Sequence, residues 1–136
     1  MPSDDWEKEG KQEVLTLVYA VPEAIDHKDL KRILEVYDTH NPNFSTFEDD
    51  PDYQERVNGV SFRRFIKGIA KLESSYIERK DVRVDILARN VALVTGIDDW
   101  TSKKSSEITK GRSRFTIVFQ KNETWKVIHE HFTRIK

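Results

Sequence analysis

The spacing of apolar residues changes character near residue 75. Before it they recur every three or four positions; after it they alternate. Trp6, Val14, Leu17, Val18 and Val21 form one stripe, which predicts a helix from Asp4 to about Ala24 with Ser3 or Asp4 as its cap. Pro22 lacks a backbone donor and clashes with the preceding turn, so the helix is expected to kink or stop near Val21. A second helix, roughly His27 to Asp38, would bury Leu30, Ile33, Leu34 and Tyr37, with Asp26 as its N-cap. Asn41-Pro42-Asn43 ends it. Phe44 to Phe47 reads as a short strand, and the acidic run EDDPDYQERVNG as a surface loop. A third helix, about Val60 to Leu72, carries Phe62, Phe65, Ile66 and Ile69 on one side.

The alternating half predicts strands at about Ser75–Leu87, Val91–Ser102, Glu107–Lys121 and Thr124–Ile135, joined by short turns that force antiparallel neighbours. The last two make a hairpin about Lys121-Asn122-Glu123. In its second strand a strict two-residue period puts Trp125, Val127, His129, His131 and Thr133 on one face. Lys126, Ile128, Glu130, Phe132 and Arg134 fall on the other. Neither face is purely polar, so the sheet is expected to be covered on both sides. Three helices followed by an antiparallel meander predict an α+β fold, with the helices packed on one face of the sheet.

Composition narrows the chemistry. The chain has 136 residues, which fits a single domain over 1–136 that needs neither metals nor disulfides for its core. It has no cysteine, which excludes a thiol nucleophile or a cysteine zinc site and suits a reducing cytoplasm. The polar, acidic start does not resemble a signal peptide, and no apolar run approaches the length of a membrane span. Basic and acidic residues balance at 23 and 24, and the best local basic clusters are Lys103-Lys104 and Lys110-Gly111-Arg112. Neither a nucleic-acid partner nor a membrane is expected.

An ordered series of segments resembles a known family. Asp29-Leu30 opens the second helix, FSTFEDD follows it, Gly59-Val60 precedes the third helix, and VALVTG and RFTIVF…WKVIHEHF close the series. Together they resemble the SnoaL-like branch of the ketosteroid isomerase and nuclear transport factor two superfamily, from about Gln12 to Arg134. The resemblance implies a cone, in which a strongly curved, mainly antiparallel sheet wraps the long first helix. It also implies a cavity at the open end and a homodimer through the sheet's outer face. Activities on this scaffold range from isomerases and cyclases to dehydratases and non-catalytic association domains.

Carried over residue by residue, the ketosteroid isomerase pattern places its base at Asp49. Its tyrosine falls near Pro22, three residues from Tyr19, and its acid aspartate near Thr116 or Ile117, where no acid stands. Isomerase chemistry of that kind is therefore not expected. In the SnoaL-like cyclases an aspartate acts on a polyketide, and Asp98 or Asp99 is the candidate here. Kinase association domains share the Trp…His-x-His ending and an arginine-lined pocket, which points to Arg112 and Arg114.

The candidate residues also carry their own chemistry. His129 and His131 share a strand face and can hold a metal or an anion, or serve as hydrogen-bonded pocket or interface residues. No third ligand is evident, so no metal and no cofactor are expected. A cavity-facing Arg114 would favour a carboxylate or phosphate; on the surface it would pair with Glu107 or Glu130. Asp98 and Asp99 point to opposite faces. Asp49 is either a base with a raised pKa or a turn residue. Tyr19, Tyr37, Phe62 and Trp100 are expected in the core and cavity walls. The expected function is a homodimeric domain binding a small, largely apolar ligand with one polar or acidic end. Asp49, Asp98 and His129 are its candidate acid/base groups, and Tyr19, Tyr37, Phe62, Trp100, Arg114 and His131 its ligand contacts. The alternative is a non-catalytic association or ligand-sensing domain.

Overall fold

The computed structural model describes residues 5–135. Helix α1 (Asp5–Asp26) is followed by α2 (Leu30–Val36), β1 (Ser45–Phe47), α3 (Gly59–Ala70), β2 (Ser74–Ala88), β3 (Val91–Lys104), β4 (Glu107–Lys121) and β5 (Trp125–Ile135). The strands form one sheet in the order β1-β5-β4-β3-β2. β1 lies parallel to β5 and every other pairing is antiparallel. The sheet is strongly curved and open, and the helices sit in its hollow, as the α+β cone requires.

Helix α1 supplies Val14, Val18 and Val21 to a core shared with Val84, Val94, Ile117, Phe119, Trp125 and Val127. Of the two outcomes expected at Pro22, a stop is excluded, since α1 continues to Asp26. Proline removes the donor that would have met the Val18 carbonyl four residues back. Arg79 Nη1 takes that carbonyl at 2.8 Å, so the helix runs on with no orphaned acceptor. The proposed Ser3 or Asp4 cap lies outside the described residues. Helix α2 is shorter than its pattern suggested, and its N-cap is Asp29, whose carboxylate accepts from the Arg32 backbone at 3.1 Å. Asn58 caps α3 in the same way, accepting from Ser61 at 2.9 Å.

The sheet bends where its ladders lose register. In β5, His129 pairs with Val118, but Val127 pairs with Phe119, so Ile128 is an extra residue. This bulge shifts the alternation by one. Trp125 and Val127 face the hollow before it, and Glu130 and Phe132 after it. His129 and His131 therefore do not share a face with Trp125 and Val127, as strict alternation had placed them. A second irregularity lies in β2 between Lys80 and Arg83.

Two glycines seat aromatic rings on the inner face. A side chain on Gly96 would come within 2.6 Å of Phe115 Cζ, and one on Gly111 within 2.3 Å of Trp100 Cζ2. Each glycine lies opposite the ring it accommodates, since Gly96 pairs with Phe115 and Trp100 with Gly111. The bare backbone at both points lets a ring lie flat across the neighbouring strand.

Candidate functional site

The inner face of the cone buries an unusual set of ionisable groups. β2 contributes Arg79, β3 Asp98 and β5 Glu130, all buried. Tyr37 reaches them from the end of α2, and Glu48 from the segment leaving β1. Arg79 Nε donates to Asp98 Oδ1 at 3.1 Å, and its guanidinium lies 4.9 Å above the Phe115 ring. Tyr37 Oη donates to Glu130 Oε1 at 2.5 Å. On its other side Tyr37 stacks on Phe62, with ring centres 4.6 Å apart.

Two carboxyl groups, Asp98 and Glu130, thus feel one guanidinium, and Glu48 adjoins Glu130. Burial pushes the Glu48 carboxyl well above the usual carboxylate range, and the adjacent charge of Glu130 adds to it. Burial also raises Glu130, against the opposing hydrogen bonds from Glu48 and Tyr37 and the charge of Arg79. Asp98 is raised by burial despite Arg79 beside it, and Tyr37 by burial and then by the Glu130 charge. Two neighbouring carboxyls in a buried setting cannot both ionise at low cost, which is why Glu48 and Glu130 are both raised. Glu48 Oε2 and Thr46 Oγ1 are buried with no hydrogen-bond partner among the described residues.

The sequence-derived candidates divide between the two faces of the sheet. Asp98 is inside and ion-paired. Asp49 Oδ2 accepts from Ser113 Oγ at 2.6 Å and from Arg134 Nε at 2.8 Å. Trp100 joins it, donating Nε1–H to Ser113 Oγ at 3.1 Å beneath the Arg134 guanidinium. Tyr37 and Phe62 are buried in the hollow. Tyr19 is 46% exposed and lines a surface groove of about 350 Å³ with Tyr76, Ile77 and the flank of Arg79.

His129, His131 and Arg114 lie on the outer face. His129 Nδ1 is 2.8 Å from the Ser45 carbonyl oxygen, and His131 Nε2 is 3.2 Å from Thr133 Oγ1. Arg114 is exposed on the same strand side as Arg112, which pairs with Asp99 at 2.6 Å. That pairing, led by the Arg112 hydrogen bond, holds the Asp99 carboxyl below the usual carboxylate range.

Glu48, Arg79 and Glu130 were not among the candidates. A signal existed for Glu130, a charge flanked two residues away on each side by Ile128 and Phe132. No local signal marks Glu48, which reads as part of an acidic loop.

The geometry is that of the nuclear transport factor two-like cones, with a cluster of ionisable groups in the hollow. A SnoaL-like domain family model matches residues 14–134, and the chain belongs to that family. Among solved structures, it resembles a scytalone dehydratase-like protein from Novosphingobium aromaticivorans at 10% identity and a TM-score of 0.82, covering 97% of this chain and 88% of that one. A nuclear transport factor two-like superfamily protein from Salmonella enterica aligns at 14% identity and a TM-score of 0.78, over 93% of this chain and 91% of that one. The association domain of C. elegans CaMKII aligns at 21% identity and a TM-score of 0.74, over 96% and 98%. No protein of curated function matches the chain in sequence. At these identities the solved structures speak for the fold alone.

Proposed function

We propose that the protein binds a small, largely apolar organic molecule in the hollow of its cone and moves a proton on it without a cofactor, as an isomerase, cyclase or dehydratase does. The observation that carries this reading is the contact of Tyr37, Glu130 and Glu48 in a buried setting. Burial raises the carboxyl pKa above its ordinary range, so that the group holds its proton more firmly and can both give and take one. Glu130 is the general base, Glu48 its proton partner, and Tyr37 the donor that steadies the Glu130 carboxylate. Asp98 and Arg79 set the local field. Asp49 holds Ser113 and Arg134, and Phe115, Phe132 and Trp100 supply apolar walls. A cysteine-free chain with no helix long and apolar enough to cross a membrane, among the described residues, fits work in the cytoplasm.

The test is exchange of α-protons in D2O on a panel of cyclic ketones and enones, followed by NMR. Wild type should speed exchange above buffer, and Glu130→Gln should abolish the gain while keeping the fold. A panel with no exchange above buffer sinks the catalytic reading. The second reading, a non-catalytic homodimeric association domain, is supported by the likeness to the CaMKII association domain. Its outer sheet face, with Phe47, His129, His131 and Arg114, is the surface it would use. Sedimentation equilibrium showing only monomer at high concentration would refute it.

A further inference from the structure

We infer that the free edge of β2 is a docking site for a second protein, taken up as an extended basic segment that adds a strand beside residues 74–80. The surface is separate from the buried carboxyls of the hollow, and the inference does not rest on the proposed catalysis.

β2 ends the sheet and is hydrogen-bonded on one side only, to β3. Among the described residues, its other side therefore offers a row of unpaired N–H and C=O groups. The regular stretch ends at the slip in register after Lys80, where Asp81 stands at φ 51°. Beside it runs the groove of about 350 Å³, with Tyr76, Ile77, Glu78 and Arg79 as one wall. The other wall is a stripe of α1 formed by Tyr19, Pro22, Glu23 and Asp26, at helical spacing. Each wall spans about 10 Å by the rise per residue of its element, which suits a chain lying along the strand.

Two features select the occupant. Tyr19 and Tyr76 are the exposed aromatic residues among those described, and both line this groove. Its charge is also one-sided. Glu23 and Asp26 are exposed and have no ion-pair partner among the described residues. Glu78 has only Lys80, at 3.8 Å, and that ammonium sits closer to Asp99, at 2.9 Å. Arg79 is already committed to Asp98 and the Val18 carbonyl. A lysine or arginine meets both features at once, with its stem and charge over a tyrosine ring and its head near a carboxylate. In an added strand, backbone pairing supplies affinity, and every second side chain turns toward α1 to be selected there. A second copy of this chain fits badly, since edge-to-edge pairing would bring two acidic grooves together.

The experiment titrates the isotope-labelled full chain with an N-acetylated heptapeptide alternating lysine and valine, read by amide chemical shifts at Tyr76, Glu78 and Lys80. Its controls are the glutamate–valine counterpart, spermine, and two lysine peptides N-methylated on one or the other alternate set of amides. The lysine peptide should bind about tenfold or more tighter than the glutamate peptide, and less tightly as salt is added. One methylated set should weaken it about tenfold and the other far less, because only one set faces β2. Glu23→Gln with Asp26→Asn, both on the surface, should weaken binding about tenfold and leave the urea midpoint close to wild type. Equal affinity for the glutamate peptide, insensitivity to both methylations, or the same shifts with spermine overturns the inference. So does an absence of shifts at these amides up to about millimolar lysine peptide. Shifts there that follow the concentration of the chain alone, the mark of a second copy on the edge, overturn it as well.

Discussion

Arg79 donates through Nη1 to the carbonyl of Val18, 2.8 Å away and 61 residues earlier in the chain. That carbonyl is the one Pro22 deprives of its helical partner. A defect in the first helix is thus satisfied by a side chain of β2, whose Nε in turn meets Asp98 on β3. The same guanidinium joins the helix to the sheet and anchors the ionisable cluster.

Arg79→Met should therefore destabilise strongly. It leaves the Val18 carbonyl and the buried Asp98 carboxyl without donors, a loss of about 3–5 kcal/mol by the usual cost of breaking a buried pair from one side. Urea unfolding gives the value. Adding Asp98→Leu to the same chain should recover part of it, because the stranded charge is removed.

Trp125 is 4% exposed and packs beside Gly10 of α1 and Ile86 of β2. Trp125→Ala should cost roughly 3–5 kcal/mol. A urea midpoint unchanged from wild type would contradict its burial.

Gly111→Ala would place a methyl group within van der Waals overlap of the Trp100 ring. The ring must leave Ser113 and the stack under Arg134, at a cost of roughly 1–3 kcal/mol. Tryptophan fluorescence should shift to longer wavelength as the indole meets water, while far-UV dichroism stays close to wild type.

Stability should fall as pH rises. Glu48, Glu130 and Asp98 all have folded pKa values raised above their unfolded ones, chiefly by burial. The folded chain then holds more protons than the unfolded one, so their contribution is complete below the ordinary carboxyl range and is lost as pH climbs through the folded values. Asp99 works in the opposite sense, but only in acid, because its folded value is lowered. Urea midpoints should decline from about pH 5 upward, and Glu48→Gln should lessen the slope. A flat profile in wild type would show that the pair ionises without penalty.

Much of this protein was legible in its residues. The change from a helical to a two-residue period located all three helices and four of the five strands, and the short apolar run after Asn43 located β1, because local periodicity reflects which side of an element meets the core. That Asp98 and Asp99 face opposite ways also follows from that period, but which of them faces in does not. Which way β5 looks does not. One extra residue at Ile128 reverses the face of everything after it, so Glu130 enters the hollow and His129 leaves it. The continuation of α1 past Pro22 depended equally on a distant partner, Arg79. Glu48 became part of the cluster only when β1 laid its loop against β5, with Thr46 registered on Glu130. Periodicity is a local property and fixes elements. Register, bulges and contacts between distant segments are set by the packing of the whole, and they decided which charges share the interior.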